Sequence, residues 1–214
     1  MSSLGEACSR AKSLAPMLIV VYAVLLGLLS LVAILSSVMD VPVSRFTRDP
    51  AAITRVSPFV GVISNIGILF WCSTTAVCFL TAAVHFRKGS ATVARFLFAS
   101  GLLTLLLLMD DLFMFHERMF PKVLKIPQNL VYVAYIGLIL GYFVKFRSVL
   151  LRTEFVVLFA ACGFLGLSMM ADVFLLQRGM QFLYEDGLKL FGIVSWFIYF
   201  SKTCFSEIVA LTAK

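Results

Sequence analysis

The chain has 214 residues, of which 61% are hydrophobic and 14% are charged. Soluble domains average about 45–50% apolar and about 25% charged residues, and one soluble core of this length cannot bury so much apolar surface. The composition therefore excludes a soluble domain, a disordered chain and a disulfide-stapled secreted protein, and it indicates a polytopic membrane protein.

The formal net charge of +7 comes from 18 Lys and Arg residues against 11 Asp and Glu residues. The basic residues lie in short clusters between apolar runs, as is typical of loops beside anionic lipid headgroups. No basic and aromatic platform for single strands lies outside those runs. We therefore expect membrane lipids as partners and no nucleic acid, while membrane-protein partners and a homo-oligomer both stay open.

Six apolar segments of roughly bilayer length follow one another along the chain. Each is predicted to be a helix, because an isolated strand cannot satisfy its backbone hydrogen bonds in hydrocarbon. The sequence thus predicts an all-α polytopic membrane protein, a bundle of about six transmembrane helices in a single integral-membrane domain over residues 1–214. The predicted spans are residues 15–38, 58–84, 96–115, 130–144, 155–176 and 187–205.

The first span is too long for a cleaved signal peptide and reads as a signal anchor. With six spans both termini share one side of the membrane, and that side holds ten Lys and Arg residues against seven on the other side. Short loops rich in Lys and Arg stay in the cytoplasm. We therefore predict an integral protein of the bacterial inner (cytoplasmic) membrane with both termini cytoplasmic.

Acidic residues at the ends of three spans are the main functional signal, because an ionisable group at bilayer depth is costly and tends to mark function. The helix order places all three ends at the same, non-cytoplasmic level. Residues seven apart share a helix face, so Asp110 and Glu117 are predicted to face the same way. The polar residues at this level include Asp110, Asp111, His116, Glu117, Asp172, Glu185, Asp186 and Lys189.

Clustered carboxylates repel one another unless a cation, a shared proton or a lysine compensates them. A divalent metal ion is one candidate, since carboxylate oxygens and an imidazole suit several such metals. A carboxylate that keeps its proton could instead act as an acid or base, and Lys189 could pair with Glu185 and Asp110 as a buried lock. The predicted metal ligands are Asp110, His116, Glu117, Asp172 and Glu185, and the predicted catalytic residues are Asp110, Asp172 and Lys189.

Simpler interpretations of the same residues stay open. The acids at the end of the third span could face lipid headgroups, and Asp172 could make a structural hydrogen bond. Glu185 and Asp186 are predicted to lie at a helix N-terminus, where negative charge is favourable.

Three functions from different classes therefore compete. The first is a metal- or proton-dependent enzyme acting on a lipid-like substrate. The second is an ion- or proton-coupled transporter or channel. The third is a structural or assembly subunit whose polar cluster holds helices together.

Two strings carry a resemblance to small bacterial multi-pass membrane proteins that have no assigned activity. They are Asp-Asp-Leu-Phe-Met-Phe-His-Glu at 110–117 and Glu-Asp-Gly-Leu-Lys at 185–189. This resemblance implies a family and no particular reaction. A fainter resemblance is to ceramidase-type membrane hydrolases, seven-span proteins that hold zinc with several histidines plus Ser and Asp. This chain has six predicted spans and two histidines, so a three-histidine zinc site cannot be built.

Overall fold

The computed structural model describes residues 2–57, 59–174 and 180–212. Across these ranges the regular structure is helical and contains no strand, so the predicted all-α class is confirmed. Six of the described helices are long and apolar enough to span a membrane. The chain divides into two compact units, Met1–Val60 and Gly61–Lys214, and the prediction of one integral-membrane domain stays a prediction.

The first unit contains a long apolar helix followed by two short helices. None of the apolar side chains of the long helix is buried between Ala15 and Val38, as suits a helix that faces lipid. Asp49 caps the last helix, because its Oδ1 accepts hydrogen bonds from the backbone N–H groups of Ala51 and Ala52 at 2.7 and 3.3 Å. The helices of this unit are α1 (Ser2–Val38), α2 (Ser44–Thr47) and α3 (Pro50–Thr54).

The second unit contains five long helices and one π-helix. Helix α8 packs against both α4 and α7, and α4 also packs against α5. The last helix begins at Met180, seven residues before the predicted start, because the predicted span counted only the continuous apolar run. The elements are α4 (Val62–Arg87), α5 (Ala91–Phe113), the π-helix (Phe115–Val123), α6 (Gln128–Leu150), α7 (Phe155–Phe174) and α8 (Met180–Thr212).

Aromatic side chains form the core between α4, α5 and α8. The Trp71 and Trp196 rings meet edge to face with centroids 5.8 Å apart, a geometry worth about 0.5–1.5 kcal/mol beyond the area it buries. The indole N–H of Trp196 donates to Thr104 Oγ1 at 3.0 Å, which satisfies a buried donor where water is excluded. These contacts fix the register of three helices directly beneath the polar ends that the sequence singles out.

Glycine allows α7 and α8 to approach closely at one point. A Cβ on Gly192 would lie 2.6 Å from Leu165 Cγ and 3.0 Å from Leu165 N. We expect Gly192→Ala to lower the free energy of unfolding by about 1–3 kcal/mol, since such overpacking must move backbone as well as side chain. The midpoint of thermal unfolding in detergent micelles measures the effect.

Gly163 provides the matched control on α7, because a Cβ there meets no atom within 4 Å. Gly163→Ala should leave the midpoint unchanged or raise it, since alanine has the higher helix propensity. Equal midpoints for the two variants would show that α7 and α8 do not approach closely at Gly192.

Candidate functional site

A cavity of about 410 Å³ lies in the second unit, between the π-helix and helices α4 to α8. This volume falls in the range of about 300–1,000 Å³ that is typical of small-molecule sites. Polar side chains gather where α5 ends, α6 begins, α7 ends and α8 begins, which is one end of the bundle. The polar lining residues are Asp110, Asp111, His116, Glu117, Tyr132, Tyr135, Ser168, Asp172, Glu185 and Lys189.

A left-handed residue creates the contact between Asp110 and His116. Met114 has φ 51°, and it ends α5 at Phe113 before the π-helix starts. The backbone N–H of His116 then donates to Asp110 Oδ1 at 3.0 Å, and His116 Nδ1 lies 2.5 Å from Asp110 Oδ2. The prediction that Asp110 and Glu117 share one face of a continuous helix is therefore wrong, because that helix ends between them.

Asp110 is buried and receives donors from two elements. Besides the two contacts from His116, the hydroxyl of Tyr135 on α6 donates to Asp110 Oδ1 at 2.8 Å. The side chain of Asp110 is 10% exposed. Hydrogen bonds to a carboxylate are stronger than neutral ones, so these donors hold the carboxylate in a fixed orientation at the edge of the cavity.

His116 lies between two carboxylates. Its second nitrogen, Nε2, is 3.5 Å from Glu117 Oε1. Burial lowers the pKa of His116, but the hydrogen bonds to Asp110 and Glu117 outweigh burial and raise this pKa to about 9. The hydrogen bond from His116 holds the pKa of Glu117 below its ordinary value. The site therefore contains an imidazolium at neutral pH, and Glu117, with a side chain 48% exposed, connects it to the surface of the bundle.

Lys189 forms an ion pair with Asp111 across the interface of α8 and α5. The distance between Lys189 Nζ and Asp111 Oδ1 is 2.5 Å, and the Asp111 side chain is 7% exposed. The predicted pairing of Lys189 with Glu185 and Asp110 is wrong. Consecutive helical residues point about 100° apart, so Asp111 faces α8 while Asp110 faces the π-helix and α6.

Asp172 joins α7 to α6. Its Oδ2 accepts hydrogen bonds from the Tyr132 hydroxyl at 2.7 Å and from Gln128 Nε2 at 3.0 Å. The contact closes one end of the gap between these two helices. It also places Asp172 at the same end of the bundle as Asp110, His116 and Glu117.

Glu185 lines the same cavity from α8, one turn before Lys189. Its backbone carbonyl accepts a hydrogen bond from Ser168 Oγ at 3.0 Å. The predicted N-terminal position of Glu185 and Asp186 is wrong, because α8 starts at Met180 and both residues lie beyond its first turn. The helix macrodipole acts mainly within the first turn, so it does not account for these two acids.

The rest of the cavity wall is apolar and faces partly outward. Ile136 and Leu140 on α6 and Phe159 on α7 line the cavity while remaining 44%, 57% and 58% exposed. Residues that line a cavity and are also exposed mark an opening along the seam between α6 and α7. Further along the seam, the rings of Phe143 and Phe159 meet with centroids 5.5 Å apart. In a bilayer such a side opening meets acyl chains.

The structure thus brings every predicted site residue to one cavity, although in a different arrangement. The residues are Asp110, His116, Glu117, Asp172, Glu185 and Lys189. Within the described ranges, no group of three or more His, Cys, Asp or Glu side chains is close enough together to hold a metal ion. The negative charges of Asp110 and Asp111 are instead balanced by His116 and Lys189. The predicted metal-binding and catalytic roles stay predictions.

Sequence reasoning missed the contribution of α6. Gln128, Tyr132 and Tyr135 donate to the two central carboxylates, whereas tyrosines near span ends are usually assigned to the interfacial belt. A usable signal was present. Residues three and four apart lie on one helix face, and this trio occupies such a face at the same end of the bundle as the acids.

Fold and cavity together define a helical bundle with membrane-length helices and an amphiphilic cavity that is acidic at one end. The chain belongs to the family described as a domain of unknown function, DUF8692, whose model matches residues 17–203. No curated protein and no solved structure matches the chain. The resemblance to ceramidase-type hydrolases accordingly has no support beyond the residues that carry it.

Proposed function

We propose that the chain is a multi-pass protein of the bacterial inner membrane, with both termini cytoplasmic, and that its cavity performs proton-dependent chemistry on a lipid-like substrate. One observation carries this proposal. The relay of Asp110, His116 and Glu117 lies at the polar end of a cavity whose remaining wall is apolar and opens sideways between α6 and α7.

The shape of the cavity favours an amphiphile. An apolar chain entering from the bilayer between Leu140 and Phe159 would replace lipid contacts with protein contacts at little cost, while a head group would reach the polar end. Buried polar groups without a partner are expensive, so a wholly apolar ligand would leave that end unsatisfied. A wholly polar ligand would leave the apolar wall empty.

His116 is assigned the role of general acid. Its imidazolium is held by Asp110, which fixes the ring and stabilises the charge, and half-exposed Glu117 returns the proton from the aqueous side. Asp172, on the facing helix α7, is the carboxylate assigned to accept a proton from the substrate. Lys189 forms an ion pair with Asp111 and balances the charge of that second carboxylate.

The test uses purified protein in liposomes made from a bacterial lipid extract, with lipid species followed over time by mass spectrometry. The wild-type protein should convert at least one species, and His116→Gln should lower the rate about 10²–10⁴-fold, the usual contribution of general acid–base catalysis. Glu154→Gln is the matched control, because Glu154 is an exposed acid at the opposite end of α7. No conversion by the wild type, or equal rates for the wild type and His116→Gln, overturns the enzymatic proposal.

A structural role is the second candidate, and one observation favours it. Most polar contacts around the cavity join two different helices, such as Asp111 with Lys189 and Asp172 with Tyr132. Interhelical hydrogen bonds of this kind hold membrane bundles together. Under this alternative, substitutions at these positions lower stability while no lipid is ever converted or bound.

A further inference from the structure

We infer that the ligand of this cavity is a single-chain amphiphile with a primary ammonium head group. The inference rests on the proposed function, because it names the substrate class of the same site. Three features carry it: the charge balance of the polar end, the hydrogen-bond acceptors that its carboxylates offer, and the size and opening of the apolar wall.

The polar end carries more negative than positive charge even when Asp172 is left out of the count. Four other carboxylates line the cavity, against the cations of His116 and Lys189. Asp110 and Asp111 each bind one of these cations at 2.5 Å. Because His116 is shared between Asp110 and Glu117, the four carboxylates exceed the two cations by two negative charges. This excess attracts a cationic head group and repels a phosphate or carboxylate.

The carboxylates of the polar end also offer hydrogen-bond acceptors to a head group. Glu117 and Glu185 line the cavity, while Asp111 is 7% exposed and already binds Lys189 through Oδ1. A primary ammonium brings three N–H donors to such acceptors, whereas a quaternary ammonium brings none.

Aromatic side chains complete a setting suited to a cation. Tyr132, Tyr135 and Trp71 line the same cavity, and cations are attracted to the faces of such rings. The cavity of about 410 Å³ matches one drug-sized ligand, which favours a single chain. The opening beside Leu140 and Phe159 leads that chain into the bilayer without requiring it to pass the polar end.

The experiment measures quenching of tryptophan fluorescence in lipid nanodiscs by probes that share one dibrominated alkyl chain. The probes differ only in the head group, which is a primary amine, a trimethylammonium, an alcohol or a phosphate. Trp71 lines the cavity and reports a chain inside it, and Trp71→Phe shows which part of the signal arises there. The amine should bind at least about tenfold more tightly than the alcohol or the phosphate, with the trimethylammonium between.

Charge dependence is tested with the double variant Glu117→Gln and Glu185→Gln. It should lower affinity for the amine at least about tenfold and leave affinity for the alcohol unchanged. Glu154→Gln, at the other end of α7, should leave both affinities unchanged. An amine affinity equal to that of the alcohol, or an amine affinity that the double variant does not lower, overturns the assignment of the head group.

Failure of this inference is distinguishable from failure of the proposed function. If the alcohol or phosphate quenches Trp71 as well as or better than the amine does, the ammonium assignment is wrong and an amphiphile cavity remains. If no probe quenches Trp71, both the ammonium assignment and the lipid-like substrate are wrong.

Discussion

Lys189→Met is expected to destabilise the protein more than any other single substitution considered, by about 3–5 kcal/mol. The reason is Asp111, whose side chain is 7% exposed and lies 2.5 Å from the lysine. Removing the ammonium leaves an uncompensated charge among α4, α5 and α8, because Asp111 forms no other ion pair within the described part of the chain. Denaturation of the purified protein in mixed micelles measures the loss of free energy.

The double variant Asp111→Asn with Lys189→Met separates pairing from packing. Removing both charges should recover most of the stability, because replacing a buried ion pair by neutral groups is often nearly neutral. Lys202→Met is the matched control, since Lys202 pairs with Glu154 and both side chains are more than half exposed. Lys202→Met should lower the free energy of unfolding by no more than about 1 kcal/mol. A double variant as unstable as Lys189→Met would refute the ion-pair argument.

The architecture was largely predictable because apolar run length is a direct physical requirement of the bilayer. Six apolar runs of about this length were predicted, and six of the described helices are long and apolar enough to span a membrane. The last helix was missed at its start, because Tyr184, Glu185 and Asp186 interrupt the apolar run although they continue the helix. Hydropathy indicates the part of a helix that lies in hydrocarbon and says little about a polar extension.

The sequence predicts at which end of the bundle the site lies, but it does not predict which side chains contact each other there. Helix order alone brings the ends of α5, α7 and α8 to one side, so the six acidic and basic candidates meet there. The pairing of carboxylates with cations depends on the turn at Met114, whose positive φ ends α5. Methionine carries no sequence signal for that conformation, since glycine and asparagine are the usual residues there.

Asp110→Asn is expected to lower the pKa of His116 from about 9 toward its ordinary value of 6.5. The variant removes the nearer of the two carboxylates that stabilise the imidazolium, while burial, which lowers the pKa, remains. Glu117 still lies 3.5 Å from Nε2, so part of the upward shift should persist. Titration of the His116 imidazole resonances by NMR measures this pKa, and the spectrum is simple because the chain has two histidines.

The same substitution should change how stability depends on pH. A histidine whose pKa is raised in the folded state contributes stability that is fully present below about 6.5 and is lost as the pH rises through about 9. The wild-type protein should therefore lose stability between these values, and Asp110→Asn should lose much less over the same interval. Glu154→Gln, whose carboxylate lies at the far end of α7, should retain the wild-type profile. A His116 resonance that titrates alike in the wild type and in Asp110→Asn would show that Asp110 does not hold the proton on the imidazole, and the proposed relay would then have no charged centre.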